Sequence, residues 1–89
     1  MTSHINPRFR RDFARLPTRI KNEARKMYKL FRSNPNHQSL EFKKLPPHDD
    51  IWSVRVNAQY RAVGQRSGET IIWFFVGTHA DYDALLRRL

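Results

Sequence analysis

Apolar residues in the first third of the chain recur at helical spacing. Phe9, Phe13 and Leu16 follow an i, i+4, i+7 pattern, one stripe of a short helix whose other face carries Arg8, Arg11 and Arg15. Pro17 ends that helix. Proline is tolerated in a first helical turn, so Pro17 also opens a second helix over about 17–33, with Ile20, Ala24, Met27 and Phe31 as its buried stripe. Tyr28 and Leu30 widen the apolar face, while Arg19, Lys21, Arg25, Lys26, Lys29 and Arg32 leave the remainder basic. The two segments predict a helical hairpin, closed by the loop Ser33-Asn34-Pro35-Asn36.

From Leu40 the period changes to two. Leu40 and Phe42 alternate with Glu41 and Lys43, which predicts a short strand before the turn cluster Pro46-Pro47-His48-Asp49-Asp50. Trp52, Val54 and Val56 then alternate with Ser53, Arg55 and Asn57, the pattern of a strand with one apolar and one polar face, and Arg55 is expected to point away from the core. A turn at Asn57-Ala58-Gln59 leads into a strand at Tyr60–Gln65. A second turn, Arg66-Ser67-Gly68-Glu69, leads into Thr70–Val76, which is apolar on both faces and so expected to be central. Thr78 and Asp81 fit a capping box ahead of a closing helix with Tyr82, Leu85, Leu86 and Leu89 on its apolar face.

Residues 1–89 therefore read as one α+β domain: an N-terminal helical hairpin packed on a mostly antiparallel twisted sheet, then a C-terminal helix. A composition of 39% hydrophobic and 12% aromatic residues is enough for a core. There is no cysteine, so no disulfide framework or thiolate metal site is available. The first residues hold no apolar targeting segment, and Ile71–Val76 is too short to span a bilayer; a cytoplasmic protein with no membrane partner is expected.

Charge sharpens the picture. The net charge is +9, and residues 1–45 hold twelve Lys/Arg against three Asp/Glu, whereas the second half is balanced. All the excess lies in the first half, which suits a polyanion or an acidic protein partner. No phosphate-binding glycine loop or nucleophilic Ser/Cys context is present, and His4, His37, His48 and His79 lack ligand spacing, so neither metal nor cofactor is expected.

The remaining chemistry-bearing residues are Lys43, Lys44, Arg55, Arg61, His79 and Tyr82. RNA carries its own nucleophile, the 2′-hydroxyl, so an RNase needs a base, a stabiliser of phosphate charge and an acid. These side chains suffice for that. They equally fit a plain reading: Arg55 and Arg61 as exposed strand residues, Tyr82 as core, His79 as a capping-region residue.

The stretch Trp52-Ser53-Val54-Arg55-Val56, with Tyr60-Arg61 after it, resembles the RelE/ParE toxin superfamily. Also similar are the Phe9, Phe13, Leu16, Pro17 opening, the segment Phe42-Lys43-Lys44-Leu45 and the end Phe75-Val76-Gly77-Thr78-His79, so the resemblance covers nearly the whole chain. It implies an early strand at Ser3–Asn6 and a toxin neutralised by an acidic antitoxin. RelE-type members are ribosome-dependent mRNA endoribonucleases; ParE-type members share the fold and inhibit DNA gyrase. A non-catalytic basic nucleic-acid-binding module is a third reading. In the RelE-type reading Arg61 matches the arginine that stabilises phosphate charge, and His79 and Tyr82 lie where members keep an acid or base and a tyrosine. Glu41 and Lys43 come from the strand that elsewhere supplies a carboxylate or lysines. Many members carry His-Arg with a tyrosine four residues after the histidine; here Ala80 follows His79 and Tyr82 comes three after. The expected catalytic set is thus Arg61, His79, Tyr82, Lys43 and Glu41, with Arg55, Lys44, Arg25 and Lys29 holding mRNA on the ribosome.

Overall fold

In a computed structural model that describes residues 1–89, the chain runs β1 (Thr2–Ile5), α1 (Pro7–Ala14), α2 (Thr18–Ser33), a 3₁₀ turn at Gln38–Leu40, β2 (Lys43–Lys44), β3 (Ile51–Arg55), β4 (Tyr60–Ser67), β5 (Thr70–Thr78) and α3 (His79–Arg88). The sheet order is β1-β5-β4-β3-β2. β1 runs parallel to β5, and every other pair is antiparallel. The fold is α+β, with both predicted hairpin helices and the closing helix in place.

Local chemistry sets the helix boundaries. The Asn6 side chain accepts from the Phe9 amide at 2.8 Å, and Pro7 follows in the first turn, where its missing N–H costs nothing. Pro17 is the residue before α2 rather than its first helical position. At α3 the Thr78 side chain accepts from the Asp81 amide at 3.2 Å, and the Asp81 carboxylate accepts from the Thr78 amide at 3.4 Å. That is the expected capping box.

Side-chain alternation splits the sheet into two buried faces. One packs under the hairpin: Ala24 and Phe31 of α2 join Val54, Val56, Ala62, Ile71, Trp73 and Val76, with Phe9 and Phe13 of α1 and Leu16 of the turn after it partly buried against them; the helix stops at Ala14, short of the expected Leu16. The Phe31 ring meets Phe42 and Trp73 edge-on at 5.0 and 5.6 Å between centroids. The other face packs under α3, where Tyr82 and Leu85 cover Leu45, Ile51, Val63 and Phe75. At the β4–β5 bulge, a Cβ on Gly64 would approach the Ile71 side chain to 2.8 Å and the Trp73 ring to 2.9 Å, so the crossing needs glycine.

Two expectations fail. Leu40–Lys43 is not a strand: Leu40 ends the 3₁₀ turn as a buried plug, and Glu41 takes a left-handed conformation with φ 45°. Pairing with β3 starts at Lys43. Nor is the polar face of β3 open to solvent along its length, although Arg55 at its end stays half-exposed. Ile51 and Ser53 are both buried because α3 and Leu45 roof that side. An alternating pattern read on its own does not reveal a distant helix that covers the polar positions.

Candidate active site

Two arginines on neighbouring strands come together on the face that α3 covers only in part. Arg55 of β3 pairs directly with Arg61 of β4, and Arg61 pairs with Gly77 of β5. Directly opposed residues project to the same face, so both guanidiniums lie beside the start of α3. A Cβ on Gly77 would meet Asp81 at 3.1 Å, so glycine there lets α3 begin close against the sheet.

Glu41 reaches this pair from the turn before β2. Its Oε1 accepts from Arg61 Nη2 at 2.6 Å, and its Oε2 lies 3.9 Å from Arg55 Nε. A left-handed non-glycine residue costs on the order of 1–3 kcal/mol, and such strain clusters at functional sites. The Arg61 hydrogen bond above all, with the charges of Arg61, Arg55 and Lys43, holds the Glu41 carboxyl below its ordinary pKa. It is a carboxylate at neutral pH.

Arg61 is buried, with its side chain 8% exposed, and its Nη1 has no hydrogen-bond partner. An uncompensated buried donor costs about 1–3 kcal/mol, so a merely structural arginine would be a poor choice here. The guanidinium carbon sits 5.5 Å from the Tyr82 ring centroid, and the His79 ring meets Tyr82 edge-on at 6.1 Å. His79 is exposed on the first turn of α3, where its amide donates to the Gln59 carbonyl at 3.0 Å. Arg61, Tyr82, His79 and Glu41 thus form one connected cluster, with Arg55 on its border. The arrangement brings a carboxylate, a buried guanidinium, a phenol and an imidazole together at one end of the sheet.

Register separates the two lysines. Lys43 pairs with Ser53 and so lies on the α3 face, whereas Lys44 pairs with Trp52 and lies on the hairpin face. Lys43 belongs with the cluster. Arg25 and Lys29 lie on α2, across the sheet from it; Arg25 donates to Asn22 at 3.3 Å and stands 5.5 Å from the Phe13 ring centroid. The reading of Arg61 as an exposed strand residue fails, because α3 and Glu41 cover it. Tyr82 is buried as a core residue would be, yet it also touches Arg61 and His79.

Sequence reasoning missed a cleft of about 380 Å³ next to the cluster, walled by Pro46, Pro47, His48, Tyr82, Leu86 and Leu89, with Lys43 and Lys44 at its side. Nothing in local spacing pairs the Pro46–His48 turn with the end of α3. A second cavity, of about 490 Å³, lies between the hairpin and the opposite face of the sheet. No three His, Asp or Glu side chains come together as metal ligands, and no helix is long and apolar enough to cross a membrane.

The fold is shared with known toxins. A chain of a RelB–RelE antitoxin–toxin complex from Methanococcus jannaschii superposes with a TM-score of 0.73 at 19% identity, covering 91% of this chain and 96% of that one. The isolated Escherichia coli RelE toxin gives 0.66 at 18% identity, over 99% and 98% of the two chains. The RelBE2 toxin–antitoxin complex from Mycobacterium tuberculosis gives 0.69 at 22% identity, over 88% and 96%. No curated protein matches the sequence. A family model described as the ParE-like toxin domain matches residues 18–84, well over half of the chain, and the chain therefore belongs to the ParE-like toxin domain family.

Proposed function

We propose that this chain is the toxin of a type II toxin–antitoxin pair and that it cleaves mRNA on the ribosome, a metal-independent reaction carried out on the α3 face of the sheet. The observation that carries the reading is Arg61: a buried guanidinium with one donor bound to Glu41 and another unpartnered, beside a carboxylate held ionised. Glu41 takes the proton from the 2′-hydroxyl, and the freed oxygen attacks the adjacent phosphorus. Negative charge gathers on the non-bridging oxygens, where a fixed guanidinium stabilises the transition state more than the ground state. The P–O5′ bond breaks, and His79 supplies a proton to the leaving oxygen. The products are a 2′,3′-cyclic phosphate and a 5′-hydroxyl end.

Lys43 and Arg55 border the cluster and hold flanking phosphates. Lys44, Arg25 and Lys29 contact ribosomal or messenger backbone from the rest of the surface, a sequence-independent and salt-sensitive contribution. The +9 charge, concentrated before residue 46, suits an acidic antitoxin, and the solved complexes with this fold hold an antitoxin. The place of action is the cytoplasm, where translating ribosomes are.

A second reading, inhibition of DNA gyrase, is what the resemblance to ParE-type members implies, and the matching family model is described as a ParE-like toxin domain. Primer extension on mRNA in a translating extract, run beside a gyrase supercoiling assay, separates the two. Cuts made by the wild type and lost with Arg61→Ala support the nuclease. Intact mRNA with blocked supercoiling supports the gyrase reading.

A further inference from the structure

The cleft beside the cluster has a chemistry of its own. Apolar side chains face each other across it: Pro46 and Pro47 of the β2–β3 loop on one side, Leu86 of α3 and Leu89 just after it on the other. Leu86 and Leu89 are 38% and 40% exposed, large apolar side chains that the fold leaves uncovered. His48 adds a planar ring with polar edges, and Lys43 and Lys44 both line the side. The volume of about 380 Å³ falls low in the range of small-molecule sites, roughly 300–1,000 Å³, nearer a nucleotide than a folded partner. Tyr82 is shared: it lines the cleft and carries the Arg61 guanidinium 5.5 Å from its ring centroid. Tyr82 thus borders both the cleft and the Arg61 side chain.

We propose that this cleft binds the base of the nucleotide next to the cut bond, stacked against Pro47, His48 and Leu86, while Lys43 holds its phosphate; this rests on the RNA-cleaving reading above. A base presents an apolar face to stack and polar edges to His48, and its chain carries the negative charge that Lys43 and Arg55 complement. The cleft then sets which base is accepted, and the Arg61–Glu41 pair sets the chemistry. Loss of stacking weakens single-strand binding by about tenfold or more per base.

The test uses RNA that cannot be cut. The wild-type chain is titrated with 2′-O-methyl tetranucleotides of each base and with an abasic tetranucleotide of equal charge, followed by NMR at the His48 ring and the Leu86 and Leu89 methyls. The proposal expects shifts at those groups with at least one base, about tenfold weaker binding of the abasic strand, and similar weakening by His48→Ala and Leu86→Asp. It is overturned if abasic and base-bearing strands bind alike, or if the shifts avoid the cleft. Shifts caused by an acidic amphipathic peptide with none caused by RNA would assign the cleft to a protein partner and equally overturn it. Because no cleavage is involved, base binding in the cleft without mRNA cutting in an extract sinks the nuclease reading alone, whereas mRNA cutting with equal abasic binding sinks the cleft proposal alone.

Discussion

Replacing Arg61 by methionine separates what this residue does for stability from what it does for chemistry. In the fold the guanidinium is almost fully buried and keeps one short bond, to Glu41 at 2.6 Å. Taking a cation out of water costs several kcal/mol, and the unpartnered Nη1 adds about 1–3 kcal/mol. The attraction to Glu41 offsets this in part, but that carboxylate is 47% exposed, so solvent screens the pair. Methionine fills a similar volume with an unbranched apolar chain and leaves Glu41 free to rehydrate. The balance gives a change between zero and about 2 kcal/mol of added stability. For a chain of this size each kcal/mol moves Tm by roughly 4–8 °C, so Tm should stay level or rise by up to about 15 °C. Catalysis should move the other way: losing a donor aimed at transition-state charge slows cleavage by about 10²–10³-fold. Thermal unfolding by circular dichroism and cut-site mapping on the same preparation read both. A Tm lowered by more than about 10 °C with cutting intact would refute the argument and make Arg61 a structural residue.

Other perturbations test the supporting frame. Gly64→Ala drives a methyl into Ile71 and Trp73 at the bulge and should destabilise by about 1–3 kcal/mol, measured by urea unfolding. Thr78→Ala removes the α3 capping box, for about 0.5–2 kcal/mol, and should reduce cutting as well, because His79 and Tyr82 ride on that first turn. The folded-state pKa of Glu41 is lowered, so its ion pairs stabilise the fold above the unfolded carboxylate pKa, and that stability is lost as pH falls through the lower folded value. Glu41→Gln should therefore flatten the acid limb of the Tm–pH curve below the ordinary carboxylate range; an unchanged limb would exclude the coupling.

Much of the fold was legible because its signals are local. The stripe Ile20, Ala24, Phe31 and the Thr78–Asp81 box each declare an element from residues within a few turns. The site was legible in part. Arg61, His79 and Tyr82 stand out as chemistry-bearing residues and take their roles from the resemblance, but their contact depends on the register Arg55–Arg61–Gly77, which no spacing along the chain states. Glu41 reads as a strand residue because Leu40 and Phe42 flank it as alternating residues do. The left-handed turn that swings it to Arg61 leaves no mark in an Asn/Gly-free segment. Ser53 looked polar-faced until α3, more than twenty residues on, folded over it. Long-range coverage of this kind comes from tertiary packing and is invisible to period counting.

The central claim, that RNA is cut by its own 2′-oxygen under the Glu41–Arg61 pair, is tested most directly by the chemistry of the fragment ends. Fragments from a translating extract treated with the protein would be labelled at their 5′ ends by a kinase without prior phosphatase treatment, and their 3′ ends identified by mass spectrometry. The account predicts 5′-hydroxyl and 2′,3′-cyclic phosphate ends, absent with Glu41→Gln or Arg61→Met. Ends bearing 5′-phosphate and 3′-hydroxyl, or no fragments at all, would contradict it.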